Sequence, residues 1–562
     1  MSNLSVGTVT NSGGTTIVTG TSSNLNTGAL IENEVAQNNV KADKIDIKVQ
    51  ENDLLIAGYE EFYGLAQNFQ ESLTNLKSQT SFLDNGNAFA QRTGDLQSTG
   101  AIATSLINVS IEENAPIGDY TIVVEQKAQE FSAGSINVVD KDADLNEVGS
   151  FTIGIDSKVA QQIDVAATDS LQDIADKINL STGDSGVSAS VIKVSETEYQ
   201  LIIEGTETNE AMTISTLSGS VMQNLGIVDG ADAFEAAQII QNEQGSRVIL
   251  NGATITRDDN AYDDLIDGLS FDVLEADAGS TLTISVDNDI SSAKEAVLDF
   301  VDSYNAFREF AIINQQVNAD GSVPEEAILF SDNFLETFNY QVSTLLSSAA
   351  GDGLAGSLRN LGITFDSQNR LLVEKEADLD AALLDDFQNV ANFFATDVSS
   401  DNDEFAIIGN TSTIEDLSFN VDITVDVNGD ITAATVGGQS VFSIQSGNRL
   451  VGNAGTPYEG LTFAYAGATD TSVAITLSAG LADLLNNTIE SYTSPTGVIQ
   501  DQISALNDEN QDYVEDAKEI RERGEEIRED AIAKYAAMEA KLSRLDSLLN
   551  TVRALLGTNK DD

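Results

Sequence analysis

Toward its C-terminal end the chain repeats apolar residues at helical spacing through Ile499, Ile503, Leu506, Tyr513, Ala517, Ile520, Ile527, Ala531, Tyr535, Met538, Leu542, Leu545, Leu549, Val552 and Leu556. Steps of three and four alternate, as a coiled-coil seam requires, and two successive steps of four at Ile527, Ala531 and Tyr535 form a stutter that locally unwinds a supercoil. At ~1.5 Å per residue such a rod spans roughly 85 Å. A second stripe runs through Leu55, Tyr59, Phe62, Ala66, Phe69, Leu73, Leu76 and Leu83, with Thr80 out of character. Neither helix can bury its stripe alone, and isolated helices draw little stability from propensity, so the two ends of the chain are expected to pair side by side. Everything between them then projects from a helical stalk.

The length of 562 residues allows about three to five domains. Lys and Arg number 27 against 91 Asp and Glu, a net charge of −64 that repels nucleic acid and anionic membranes. Because 41% of residues are hydrophobic, this acidity belongs to a solvated surface over folded cores, one suited to salty surroundings. Cys, His and Trp are absent, which removes the commonest catalytic base, the commonest zinc ligands, thiol nucleophiles and disulfides. The opening MSNLSVGTVTNSGGTTIVTG has no basic start and no apolar core of signal-peptide length, and no run reaches membrane-spanning length, so secretion is expected by another route.

Residues 1–24 are rich in Ser, Thr, Gly and Asn and are expected to form a flexible arm. A weaker helical pattern with Leu30, Ile31, Val35 and Val40 leads into the first rod. From about 100 to 290 the period falls to two, as in Thr121 to Glu125, Val187 to Val194 and Gln200 to Ile203, with turns at Asn251-Gly252 and Asp267-Gly268 and one helix at 169–179. Helix resumes at a capping-box pattern, Ser292 with Glu295, followed by Val297, Phe300, Tyr304, Phe307 and Ala311. A further helix after Pro324 carries Phe334, Phe338, Val342 and Leu345, so 290–395 is expected to complete a small bundle with the rods. Alternation returns from 405 to 478, with a hairpin turning at Asn428-Gly429, before GLADLL restarts helix.

Chemistry-bearing motifs are poor. Asp426, Asn428 and Asp430 have calcium-loop spacing, but Ile431 and Gly437 stand where an EF-hand needs Gly and Glu, and a polar hairpin turn explains the triplet. DKDAD at 140–144 and DNDE at 401–404 are acidic clusters of the kind chance supplies in so acidic a chain. Paired carboxylates for sugar cleavage lack the stacking Trp of such clefts, and no phosphate loop or nucleophile elbow occurs. No enzymatic activity, cofactor or metal is therefore expected. Gly524 falls on the apolar seam, as either a flexible joint or a close packing contact.

Taken in order, APIGDYTIVVEQKAQ with Ala115, Gly118 and Tyr120, then SLQDIADKIN, GVSASVIK, VILNGATITRDDNAYDDLIDGLSFDVLEADAGSTLTISVDNDI running into FVDSYNAF, LRNLGITFDSQNRLLVEKEADLDAALLDDFQNVANFF, GTPYEGLTFAYAG, SAGLADLL and KYAAMEAKLSRLDSLL resemble the flagellar hook-associated protein 2 family, the filament-capping proteins of bacterial flagella. Lys127 stands where the family often has Leu, NTGAL at 26–30 replaces its Gly-Leu-Asp, and the first twenty-odd residues match poorly. The resemblance implies an α+β multidomain fold in which N- and C-terminal coiled-coil helices form a stalk or leg and β-rich domains are inserted between them. It implies a ring of identical subunits, a pentamer, that holds exported flagellin at the filament tip while each new subunit folds and inserts. The implied partners are flagellin, the hook-filament junction protein and an export chaperone, with no nucleic acid and no membrane insertion. The implied location is outside the cell, after passage through the flagellar type III channel. Rivals are the hook-filament junction protein and an acidic adhesin; block 248–307 favours the cap, and neither tandem repeats nor an outer-membrane anchor is seen.

On this basis residues 1–54 with 535–562 are expected to be terminal filament-docking helices, and 55–100 with 290–400 and 479–534 a helical leg. Residues 101–148 with 232–289 form a β-rich plate, 149–231 a second β-rich domain, and 401–478 a β-rich insertion of unassigned role. Leu30, Ile31, Val35, Leu542, Leu545, Leu549, Val552 and Leu556 are the expected docking surface, and Tyr59, Phe62, Phe69, Leu73, Phe300, Tyr304 and Phe307 the leg packing.

Overall fold

The computed structural model describes residues 8–12, 15–19, 23, 25–78, 87–350, 357–410 and 416–555. The helices include α1 Thr27–Thr74, α2 Leu171–Asn179, α3 Ile290–Gln315, α4 Asn333–Ala349, α5 Leu481–Thr493 and α6 Val498–Leu555, and much of the remaining structure is antiparallel sheet, an α+β multidomain chain. Two compact units emerge: residues 1–87 with 294–562, and residues 88–293.

The unit of residues 88–293 holds two cores. In one, a five-stranded sheet ordered Ala253–Arg257, Ser246–Leu250, Gly118–Gln126, Leu282–Asn288, Arg92–Ser98 covers a three-stranded sheet, burying Ile122, Val248, Phe271, Leu282 and Ile284. Its hairpin turns where Leu250 faces Ala253, with Asn251 and Gly252 at φ 47° and 85°, the positive values a two-residue turn demands. In the other, α2 packs Leu171, Ile174 and Ile178 among Phe151, Ile153 and Leu201 from two smaller sheets. Ser170 and Asp173 cap α2 reciprocally, so two first-turn N–H groups are satisfied.

In the other unit α1 and α6 run antiparallel, since contacts pair Asn52 with Glu509, Asn38 with Ile520 and Glu32 with Arg528. The weaker helical pattern and the rod it leads into are one helix of 48 residues, started by the Asn26 side chain accepting from Ala29 N. It stops at Thr74, so the rod ends before Thr80 and Leu83, which lie outside the described residues. The arm expected to be flexible instead contains an antiparallel hairpin, Thr8–Ser12 with Thr15–Thr19, lying alongside α6; backbone pairing supplies order that composition alone does not suggest. The start expected at Ser292 is also earlier. Asp289 accepts from Ser292 N at 3.1 Å and α3 begins at Ile290, so Asp289 rather than Ser292 holds the first turn.

Residues 397–478 form a sandwich of two four-stranded sheets, ordered Asp397–Ser400, Thr471–Ser478, Asp416–Val425, Ile431–Thr435 and Phe405–Asn410, Leu461–Tyr465, Arg449–Gly452, Phe442–Gln445. Phe419, Phe442, Phe463, Val473 and Ile475 fill it. At its Asn428-Gly429 turn the Asp426 carboxylate accepts from the N–H groups of Asn428 and Asp430 at 2.8 and 3.0 Å, which hold it below the ordinary carboxylate range. Its lone pairs are engaged in the turn.

Candidate functional site: the helical rod and its open end

The residues facing the partner helix on α1 are Ile31, Val35, Asn38, Ala42, Ile45, Val49, Asn52, Ile56 and Tyr59, all buried or half-buried and recurring by threes and fours. On α6 the matching series is Leu506, Asn510, Tyr513, Ala517, Ile520, Gly524, Ile527 and Ala531. Three chemistries succeed one another along this seam.

At the leg end it is aromatic. Phe62 meets Phe307 at 6.1 Å, Phe310 at 6.3 Å and Phe338 edge-on at 5.3 Å between ring centroids. Phe69 lies 6.0 Å from Phe300 and 5.8 Å from Tyr304. Of the residues expected in leg packing, Tyr59, Phe62, Phe69, Leu73, Phe300, Tyr304 and Phe307 are all buried, and ring contacts join Phe62 to Phe307 and Phe69 to Phe300 and Tyr304. Offset and edge-on aromatic pairs add about 0.5–1.5 kcal/mol each beyond area burial. The two phenols find partners, Tyr304 donating to Asn369 O at 2.7 Å and Tyr59 to the Asp332 carboxylate that caps α4. Burial, then the Asp332 hydrogen bond, pushes the Tyr59 phenol well above its ordinary range.

Midway the seam is polar, which the apolar stripe did not reveal. Asn38 donates to Ile520 O at 2.8 Å, Asn52 to Glu509 at 3.0 Å and Asn510 to Asp53 at 2.9 Å. Gly524 is buried, and a Cβ there would stand 2.6 Å from Asn39 Oδ1, so of its two readings the close contact is the one found, in an unbroken helix. Arg521 pairs with Asp46 and, at 3.4 Å, with Asp43, and Arg528 with Glu32 at 3.2 Å, which raises both guanidinium groups further above their usual value. The Tyr513 hydroxyl and then the Asn52 amide hold the Glu509 carboxyl below its usual range. The signal was present in the sequence, because Asn38, Asn52, Asn510 and Gly524 sit in step with the apolar repeat.

At the far end the expected docking residues separate into two groups. Ile31 and Val35, each 3% exposed, are consumed within the chain against Ala531 and Ile532, with Tyr535 alongside. Leu30 points outward, Leu542 is half-buried, and Leu545, Leu549 and Val552 are 60%, 49% and 49% exposed. Leu548 and Leu555 are open as well, whereas Leu556 lies outside the described residues. Beyond Glu539, whose buried carboxylate accepts from Ser23, the apolar face of α6 is thus largely uncovered. Among the described residues no helix is long and apolar enough to cross a membrane, and no group of three carboxylates is placed to hold a metal ion.

Comparison with known proteins bears on this arrangement. Residues 244–547 match the family model for the flagellar hook-associated protein 2 C-terminus, 23–130 that for its N-terminus and 135–207 the flagellin hook IN motif. The B-type flagellar hook-associated protein 2 of Pseudomonas aeruginosa is 25% identical over 350 residues, 58% of this chain and 71% of that protein. Flagellar hook-associated protein 2 of Escherichia coli K12 is 27% identical over 308 residues, 52% of this chain and 65% of that one. The crystal structure of the D1-D2-D3 domains of the Escherichia coli flagellar cap protein superposes with a TM-score of 0.48 at 20% identity, covering 80% of this chain and 99% of that one. With the C-terminal model alone spanning more than half of it, the chain belongs to the flagellar hook-associated protein 2 family.

Proposed function

We propose that this protein is the structural cap at the distal tip of a bacterial flagellar filament, promoting insertion of flagellin and filament elongation without catalysis. Family membership supplies the class of function, and one structural observation carries its mode of attachment. The last turns of α6 present Leu545, Leu549 and Val552 to solvent on the same helix whose opposite end is fixed in the leg. A helix with an unfilled apolar face at its free end gains stability by laying that face into a groove on a partner. The docking surface is therefore Leu542, Leu545, Leu549 and Val552, while Ile31 and Val35 hold α1 to α6. In this reading the cap is a ring of identical subunits, a pentamer, docked at the filament end and in contact with flagellin. It reaches the cell exterior through the flagellar type III export channel, with an export chaperone as a partner before export and the hook-filament junction protein as a further partner.

Leu545→Asp with Leu549→Asp is expected to leave thermal unfolding of the chain unchanged and to abolish its attachment to filament ends in electron micrographs. Undiminished attachment would sink the docking assignment. Immunogold on intact flagellated cells tests the location, with label at the hook junction or over the cell body counting against a tip cap.

A further inference from the structure

The rod carries two features outside its seam. On α1, Val40, Ile47 and Leu54 recur every seven residues and are 49%, 53% and 59% exposed. They lie about 140–200° around the helix from the seam. The corresponding positions of α6, Asp508, Glu515, Glu522 and Glu529, are acidic and exposed, so the stripe belongs to α1 alone. The second feature is a groove along one flank of the helix pair, made of two successive shallow hollows of about 530 and 510 Å³. Asn39 and Asp46 edge the first and Asp53 the second, and Val514 and Lys518 of α6 line both. Val514 is 57% exposed, and among the described residues of α6 it is the one exposed large apolar side chain before Leu545.

We propose that the stripe of one copy of the chain lies in the groove of the next, all copies pointing the same way, and that this contact closes the ring proposed above, a reading on which the inference rests. Three observations choose a second copy as the occupant. The first is the angle between the two faces. Asn39, Asp46 and Asp53 each precede a stripe residue by one position, so the groove edge and the stripe stand about 100° apart around α1. Two different faces set at such an angle turn each neighbour by about 80°, between the turn of about 72° that closes five copies and the turn of about 90° that closes four. The second is spacing: both series repeat by seven residues, about 10.5 Å, so the stripe keeps step with the groove edge along its length. The third is height. Asn38 lies opposite Ile520 and Asn52 opposite Glu509, which places Val514 level with about residues 44–47 of α1. A closed ring has no rise between neighbours, so with the rods alongside the ring axis Ile47 of the next copy arrives at the height of Val514, the exposed apolar side chain of the α6 wall. Val40 to Leu54 extends only about 21 Å, so a single contact is small, and closure, which engages every copy twice, supplies the stability.

The absence of cysteine allows a direct test on the full chain. After mild oxidation Ile47→Cys and Val514→Cys should each run as a monomer on a non-reducing gel, whereas a mixture of the two should crosslink into dimers and the double variant into a ladder that stops at the ring size. Val40→Cys with Lys518→Cys is a second pair expected to behave alike. Leu54→Asp, added to the double variant, should cut the yield of crosslinked species at least tenfold with the circular dichroism spectrum unchanged. Crosslinking of Ile47→Cys alone would overturn the proposal in favour of a two-fold contact. If sedimentation shows rings but neither mixed pair crosslinks, the rod contact falls while the ring reading stands; absence of both rings and crosslinks would sink the two together. If Ile47→Asp leaves the rings intact and instead weakens binding to flagellin filaments, the stripe belongs to flagellin and the proposal fails.

Discussion

Ile31 and Val35 on one side and Leu545 and Leu549 on the other look alike in sequence, yet the structure assigns them opposite energetic roles, and truncation separates them. Ile31 and Val35 are 3% exposed in a small cluster with Ala531 and Ile532. Removing buried methyl groups from cores costs about 2–5 kcal/mol per Ile→Ala change, and a cluster this small, able to collapse, places Ile31→Ala near ~2 kcal/mol. Leu545 and Leu549 are already 60% and 49% exposed, so Leu→Ala there stays within about 0.5 kcal/mol. The cost at Ile31 falls on local opening of the helix pair rather than on the leg, so amide hydrogen exchange is the assay. At 1.4 kcal/mol per decade, exchange in the first turns of α1 should accelerate about 30-fold in Ile31→Ala and about twofold or less in Leu545→Ala. Equal acceleration in the two variants, or none in Ile31→Ala, would refute the division between bracing and open residues.

Other outcomes follow from the same packing. Phe62→Ala removes a ring that meets three others, so urea unfolding of the leg should show a loss of about 3–5 kcal/mol, and a loss below about 1 kcal/mol would contradict the aromatic core. Asn510 keeps its Oδ1 buried without a hydrogen-bond partner; Asn510→Leu should raise the melting temperature of the helix pair, since the orphaned acceptor disappears and Asp53 can turn to water. The phenols of Tyr59, Tyr304 and Tyr492 are raised, mainly by burial. Their contribution is therefore fully present below the unfolded value near 10 and is lost as pH climbs above it, because the unfolded chain ionises first. The melting temperature should fall between about pH 10 and 11, and a flat profile there would contradict these burials.

How far the sequence discloses this molecule depends on the contrast each residue carries. The last helix is legible because apolar and charged residues alternate cleanly over its length, and the turn at Asn251-Gly252 because only a few residues tolerate its positive φ. The first helix is legible only in part. Asn38 and Asn52 occupy seam positions, so the periodicity weakens where amide hydrogen bonds interrupt the apolar contacts. The pairing of Thr8–Ser12 with Thr15–Thr19 is invisible because Ser and Thr tracts advertise neither burial nor period, and backbone pairing leaves no mark in composition. At the open end, Ile31 and Leu545 are indistinguishable by pattern: which apolar residue is spent inside the chain depends on the register of α1 against α6, a relation between residues some 500 positions apart.

The succession of aromatic, polar and open segments along α1 and α6 has a mechanical consequence. A buried aromatic ring removes about 150–250 Å² from water, worth roughly 4–6 kcal/mol at 25 cal/mol per Å², and the leg end gathers five such rings in Phe62, Phe69, Phe300, Phe307 and Phe338. The middle of the rod has smaller or half-buried apolar residues, Ala42, Ile45, Val49, Ala517 and Ile520, interleaved with amide hydrogen bonds and exposed ion pairs whose net contributions are about 1 kcal/mol or less each. The helices are therefore anchored at one end and weakly zipped toward the other, where Ile31, Val35, Ala531 and Ile532 make a last small clasp. Opening from the free end can change the partner of the exposed α6 face while the leg stays folded, because the strong contacts lie on the far side of the polar stretch. A uniformly apolar seam would couple the two ends, and the docking proposed for the exposed α6 face would then have to compete with the stability of the whole bundle.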